Sequence, residues 1–103
     1  MSILLEFSMF PTDVGESKSQ YVARSISIIK QSGLPYKMGP MGTVIEGEWD
    51  EVMDVVKKCQ EAMSADCNRV YTNIKMDYRA GKSGRIQAKI ESVKSKLKED
   101  INS

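Results

Sequence analysis

The residues best suited to chemistry are concentrated at positions 39–47, where the sequence is Gly-Pro-Met-Gly-Thr-Val-Ile-Glu-Gly. Glycines permit close backbone approach, Thr43 offers a hydroxyl donor and acceptor, and Glu46 offers a carboxylate. We expect both side chains to lie on a central strand beside Ser8 and Glu6, where they can bind a small polar molecule. A hairpin turn with an exposed glutamate explains the same spacing equally well.

Several catalytic and metal-binding classes lack the residues they need. The chain has no histidine, which excludes Ser-His-Asp and Cys-His nucleophile systems and the HExxH zinc sites. Cys59 and Cys67 are too few for a zinc site and are predicted to be reduced thiols. Gly81-Lys82-Ser83 is similar to the end of a phosphate loop, but Met76 stands where that loop needs a glycine. We therefore expect no enzyme, no metal and no cofactor.

Length and charge restrict the partners. The chain has 103 residues, with 15 Lys and Arg against 14 Asp and Glu, so the formal net charge is +1. This length predicts one domain over residues 1–103. A nucleic-acid or anionic-membrane partner would need a basic surplus that the chain lacks. Glu6 interrupts the apolar N-terminus, so we expect no signal or membrane span and a cytoplasmic location.

The elements that must position these residues follow from the hydrophobic periodicity. Period-2 alternation predicts strands, and apolar stripes at helical spacing predict helices. Ser17 with Gln20 is a candidate capping box, Gly33 a helix C-cap and Asp50 a helix N-cap. The expected order is a strand over 3–11, a helix over 17–32, short strands over 36–39 and 43–48, a helix from Asp50, a strand over 69–79 and a last helix over 86–101.

This order is the βαββαβ pattern of an α+β, ferredoxin-like antiparallel sheet, with an additional C-terminal helix. The right-handed crossover rule makes the first and third strands neighbours, with the fourth on the other side of the first. Two helices then cover one face. The other face presents Leu4, Phe10 and Tyr71 together, and such apolar area favours a ligand or a sister subunit.

The sequence also resembles a known family. The motifs that carry the resemblance are Phe7-Ser8-Met9-Phe10-Pro11, Gly33-Leu34-Pro35-Tyr36, the run from Pro40 to Gly47 and the helix from Ile86 to Leu97. They are similar to the small YkoF-like thiamine-binding proteins over nearly the whole chain. The resemblance implies a ferredoxin-like fold, a homodimer or homotetramer formed through sheet and C-terminal helix contacts, and non-catalytic binding of thiamine or its hydroxymethylpyrimidine moiety.

The resemblance also implies where the ligand binds. It places Ser8, Thr43 and Glu46 in the pocket region, with Asn73 and Asp77 as further candidates from the adjacent strand. These types, together with Tyr36, suit an aminopyrimidine edge and a cationic thiazolium. The sequence gives only a weak signal of a basic site that could bind a pyrophosphate, which favours the unphosphorylated ligand. The expected role is in vitamin transport, salvage or sensing.

Two alternatives share the expected topology. One is a regulatory module that senses another small molecule, and the other is a structural oligomerisation protein whose open sheet face is consumed by subunit contacts. An RNA-recognition module would need aromatic residues for base stacking on its central strands, and the third strand has Thr-Val-Ile-Glu at 43–46 instead.

Overall fold

A computed structural model describes residues 2–15, 18–81 and 84–97. Their elements follow the predicted βαββαβ order with an additional C-terminal helix. The elements are β1 (Ser2–Pro11), α1 (Ser19–Ser32), β2 (Tyr36–Met38), β3 (Thr43–Gly47), α2 (Trp49–Ser64), β4 (Val70–Arg79) and α3 (Arg85–Leu97). None of the helices in these ranges is long and apolar enough to cross a membrane.

The four strands form one antiparallel sheet in the order β2-β3-β1-β4, which confirms the predicted neighbours of the first strand. β1 pairs with β4 along its whole length, from Ser2 opposite Arg79 to Pro11 opposite Val70. The ladder with β3 is shorter and ends where Phe7 lies opposite Thr43. Residues 8–10 of β1 therefore extend past the end of β3.

The core lies between one face of the sheet and the helices α1 and α2. Alternate residues of β1 point into it, as a period of two requires, and Leu5 is completely buried. Cys59 of α2 is also completely buried, and this burial raises the pKa of its thiol. The core comprises Ile3, Leu5, Phe7, Met9, Tyr21, Ile29, Ile45, Val52, Val55, Val56, Cys59, Met63 and Cys67.

The C-cap predicted for α1 is confirmed, whereas its predicted N-terminal capping box involves a residue that is not described. Gly33 is the predicted C-cap, with a φ of 76° in the left-handed region that glycine adopts without strain, and its N–H donates to the carbonyl oxygen of Lys30 at 3.4 Å. The helix begins at Ser19. The capping box proposed at Ser17 and Gln20 depends on Ser17, which lies outside the described residues.

The start of α2 corrects the prediction of Asp50 as its N-cap. The N-cap is Glu48, two residues earlier, and it forms a capping box with Glu51 in which the Glu48 N–H donates to Glu51 Oε1 at 2.8 Å. Reciprocal bonding satisfies the first amides of the helix, which makes a glutamate effective where Asp or Ser is more usual. Asp50 lies in the first turn, and Trp49 remains 51% exposed.

The last helix begins on the opposite face of the sheet from α1 and α2. Glu46 and Asp77 both lie opposite Leu4 in the two ladders, so the three share the face that points away from the core. The backbone and side chain of Arg85, the first residue of α3, bond to these two carboxylates. The sheet face that α1 and α2 do not cover is thus partly covered by the start of α3.

Candidate functional site

A cleft of about 540 Å³ opens between α1 and the end of the sheet. One wall is α1, the opposite wall is residues 7–10 of β1 with Thr43, and the rim is the loop over residues 39–42. The loop is tight, because the Gly39 N–H donates to the Gly42 carbonyl oxygen at 2.8 Å. A Cβ at position 39 would lie 2.9 Å from that oxygen, so the close approach requires glycine there.

The cleft has a buried inner end and an open mouth. Phe7, Ile29 and Ser25 at the inner end are each no more than 6% exposed. Met41, at the rim, is 90% exposed, and Val22 of α1 is 40% exposed. A flat molecule with apolar faces can therefore enter from the side of Met41 and be covered more completely as it goes deeper.

Polar groups line two parts of this cleft. Thr43 and Ser25 are buried beside the apolar walls, whereas Ser8 and Asn73 lie opposite each other on neighbouring strands. The cleft reaches Ser8 at the place where β1 extends past the end of β3. Hydroxyl and amide groups at both places can pair with the edge of a heterocycle.

Lys18 is the single charged side chain among the described residues that line the cleft. Its ammonium group donates to two backbone carbonyl oxygens of the preceding loop, of Val14 at 3.0 Å and of Gly15 at 2.6 Å. The lysine is thus held at the entrance to α1 and closes the loop against the helix.

The cleft brings together three of the six site residues predicted from the sequence, namely Ser8, Thr43 and Asn73. Tyr36 lies on β2 opposite Ile45, is 40% exposed, and does not line the cleft. Glu46 and Asp77 are also elsewhere. The ligand-binding roles of all six stay predictions.

Glu46 does not share a face of the sheet with Thr43. Thr43 and Glu46 are three positions apart on one strand, and an odd spacing places them on opposite faces. Glu46 is 4% exposed, and its Oε1 accepts the N–H groups of Arg85 at 2.9 Å and Ile86 at 3.4 Å. A carboxylate at a helix N-terminus satisfies amides that otherwise lack a partner and is favoured by the helix dipole.

Asp77 supports the same helix with its side chain and its carbonyl group. The Arg85 guanidinium donates to Asp77 Oδ2 and, at 2.9 Å, to the Asp77 carbonyl oxygen, while Lys89 Nζ lies 3.0 Å from Oδ2. The hydrogen bond from Lys89 and the charge of Arg85 lower the pKa of the Asp77 carboxyl group. Glu46 and Asp77 together form an anchor for α3, and we call these two residues the α3 anchor.

Sequence reasoning missed the contribution of α1 to the cleft. Val22, Ile26 and Ile29 form an apolar stripe at helical spacing, and all three line the cleft, with Ile26 and Ile29 also packed in the core. Ser25 lies three residues after Val22 and four before Ile29, so it belongs to the same stripe. A hydroxyl group on an apolar helical stripe was the signal that could have identified it.

The comparisons with known proteins agree with this fold and add a family. The sequence model of a family described as "Thiamine-binding protein" matches residues 5–94. The chain belongs to the thiamine-binding protein family. This confirms the family resemblance found in the sequence, and the thiamine-binding protein family is a binding family rather than a known enzyme family.

Relatives and solved structures extend the match over most of the chain. A UPF0045 protein of Mycobacterium bovis is 41% identical over 98 residues, which cover 94% of this chain and 96% of the relative. The crystal structure of a hypothetical protein from Methanocaldococcus jannaschii has a TM-score of 0.82 at 32% identity, covering 89% of this chain and 95% of the other. The ferredoxin-like fold is thereby confirmed.

A third similar protein carries a description related to the vitamin. It comes from Thermotoga maritima, is described as a candidate thiamine biosynthesis or salvage protein, and has a TM-score of 0.79 at 26% identity. The match covers 90% of this chain and 99% of that one. The thiamine-binding protein family and this neighbour together indicate a thiamine-related role.

Proposed function

We propose that the protein binds thiamine or its hydroxymethylpyrimidine moiety in the cleft between α1 and the sheet. The observation that carries the proposal is the cleft itself, an apolar slot with the hydroxyl and amide groups of Ser8, Thr43 and Asn73, in a chain of the thiamine-binding protein family. Its volume of about 540 Å³ lies within the range of small-molecule pockets.

The chemistry of the cleft suits the pyrimidine half of the vitamin. An aminopyrimidine has two apolar ring faces, which Phe7 and the apolar stripe of α1 can cover, and an edge that both donates and accepts hydrogen bonds. The described lining contains hydroxyl, amide and apolar groups and one lysine, but no carboxylate or thiol to move a proton or attack the ligand. This composition supports binding without turnover. We propose that the protein acts in the cytoplasm, in transport, salvage or sensing of the vitamin.

A calorimetric titration tests the proposal. Wild-type protein is expected to give saturable heat with thiamine or with hydroxymethylpyrimidine. Val22→Trp fills the mouth of the cleft from a half-exposed position and should weaken binding at least about tenfold, which corresponds to about 1.4 kcal/mol. Gln60→Trp places the same side chain on the exposed surface of α2, outside the cleft lining, and serves as the control. The absence of heat from the wild type at high micromolar ligand, or equal affinity in Val22→Trp, would contradict the proposal.

We also propose that the protein assembles as a homodimer or homotetramer. β4 is at one edge of the sheet and pairs, within the described residues, with β1 alone, which leaves a ten-residue edge open. The core-facing side of β4 presents Ile74, Met76 and Tyr78, each at least 40% exposed. Val93 and Leu97 of α3 are also exposed. Long open edges with apolar side chains favour pairing with another chain.

Light scattering on the eluting protein tests this assembly. We expect a mass of two or four times 11.5 kDa for the wild type. Met76→Lys should shift it toward 11.5 kDa, whereas Met41→Lys, at a more exposed methionine in the loop over residues 39–42, should not. A wild-type mass of 11.5 kDa would exclude a stable oligomer.

A further inference from the structure

The hydroxyl group of Ser25 has at most a weak partner in the protein. The residue is 6% exposed, its Oγ is buried, and Oγ makes no hydrogen bond of normal geometry to another described residue, although it lies close enough to the Cys59 thiol to interact with it. The same side chain lines the cleft. We propose that Ser25 is a ligand-contact residue whose hydroxyl group bonds to the polar edge of the bound pyrimidine. This proposal rests on the proposed function and names a binding residue that the family resemblance did not.

An unpartnered buried hydroxyl group needs a reason. Most buried polar side-chain atoms in proteins have a partner, and leaving one without costs about 1–3 kcal/mol. A serine within a helix can bond to the carbonyl oxygen four residues earlier, but Ser25 does not. The Cys59 thiol donates to the Ser25 carbonyl oxygen at 3.8 Å, and the Ser25 side chain also interacts with this thiol, where it opposes the rise in the thiol's pKa that burial causes. A thiol is only a weak donor and acceptor, so it does not replace a full hydrogen-bond partner. A ligand in the cleft would supply the missing partner.

The side chains around Ser25 determine which half of the vitamin can contact it. The inner end of the cleft is formed by Phe7, Met9 and Ile29, with Thr43 as a second buried hydroxyl group. No charged side chain is present there within the described lining, since Lys18 is tied to the loop at the entrance to α1. A cation would lose its hydration there without compensation, whereas an uncharged ring would not. The pyrimidine therefore enters first, and the thiazolium stays toward the mouth.

This assignment has a thermodynamic signature that a purely structural serine would not show. In the free protein, Ser25→Ala removes a hydroxyl group whose interaction with the Cys59 thiol is weak, and alanine is the better helix former. Its free energy of unfolding should therefore be equal to or greater than that of the wild type. In the complex the same substitution removes a hydrogen bond. The ligand should then raise the melting temperature of Ser25→Ala less than that of the wild type.

The test combines calorimetry with thermal unfolding on three proteins, using hydroxymethylpyrimidine and thiamine as probes. Ser25→Ala should bind both ligands about tenfold more weakly than the wild type, the loss expected for one buried hydrogen bond. Ser2→Ala is the matched control, because Ser2 is the other buried serine without a hydroxyl partner in the described chain and does not line the cleft. It should bind like the wild type.

The outcomes separate this inference from the proposed function. If the wild type binds and Ser25→Ala binds equally well, the role of Ser25 is overturned while the proposed function stands. A second outcome would also overturn the role of Ser25 in ligand binding. In that outcome Ser25→Ala is less stable than the wild type without ligand, and the ligand raises the melting temperatures of both proteins equally, which would assign Ser25 a structural role. If the wild type binds neither probe, both are overturned.

Discussion

At the scale of single residues, Arg24 and Asp66 form the best-defined ion pair of the described chain. Two guanidinium nitrogens bond to the two carboxylate oxygens at 2.7 and 2.8 Å, and Arg24 also donates to the carbonyl oxygen of Ala62 at 3.3 Å. The hydrogen bond from Arg24 lowers the pKa of Asp66 to about 2. The pair joins α1 to the turn that follows α2.

The lowered pKa of Asp66 predicts a pH-dependent contribution to stability. In the unfolded chain the carboxyl group titrates near its ordinary pKa of about 3.9. A depressed folded-state pKa means that the contribution is complete above about pH 4 and is lost as the pH falls toward about 2. Asp66→Asn should therefore be less stable than the wild type in chemical denaturation at neutral pH, and the difference should vanish near pH 2.

The matched control for this prediction is Asp54→Asn. Asp54 pairs with Lys58 at 2.9 Å on the exposed surface of α2, where single ion pairs contribute little. A stability difference for Asp66→Asn that stays constant from neutral pH to about pH 2 would contradict the assigned linkage.

Residue spacing alone could have predicted part of the observed arrangement. The odd separation of Thr43 and Glu46 already placed them on opposite faces, and Ser25 already lay on the apolar stripe of α1. The bonds of Asp77 to Arg85 and Lys89 could not be predicted in this way, because they depend on where the final helix docks. Alternation along a strand predicts the face of the sheet on which a side chain lies, but not the residue of another element that it contacts.

At the scale of elements, the α3 anchor is what ties the final helix to the sheet. Arg85 is the only buried residue among those that the structure describes in α3, while Val93 and Leu97 are about half exposed. The helix is therefore attached at its first turn by polar contacts, and the apolar Ile86 and Ile90 are half-buried. The apolar stripe that predicted the helix fits several surfaces equally well, so the sequence could not specify the docking face.

Removal of the Glu46 carboxylate should loosen α3. Glu46→Ala leaves the amides of Arg85 and Ile86 without their acceptor, and we expect hydrogen exchange at the start of α3 to become about tenfold faster. Glu61→Ala, at an exposed position of α2, is the control. Unchanged exchange in Glu46→Ala would show that other contacts hold the helix.

A titration of the same variant separates two roles of Glu46. Because the cleft does not include Glu46, its removal should leave the affinity for thiamine unchanged. Weakened binding would instead support the role in the ligand site that the family resemblance implies.

At the scale of the whole molecule, the fold was predictable because local and global signals agree. The two periodicities gave the element order, and the crossover rule gave the strand neighbours. The cleft was not predictable, since it depends on how far α1 stands from the sheet and on β1 extending past the end of β3. Such distances arise from the packing of several elements and have no signature in one segment.

The central claim, that the vitamin or its pyrimidine binds between α1 and the sheet, is tested most directly by nuclear magnetic resonance. Thiamine and hydroxymethylpyrimidine would each be titrated into the isotopically labelled protein while backbone amide shifts are recorded. We expect saturable shifts for residues 22–29 of α1 and 39–43 of the loop and β3, and little change at Asp77 or along α3. Shifts confined to the α3 anchor and α3, or no shifts with either ligand, would contradict it.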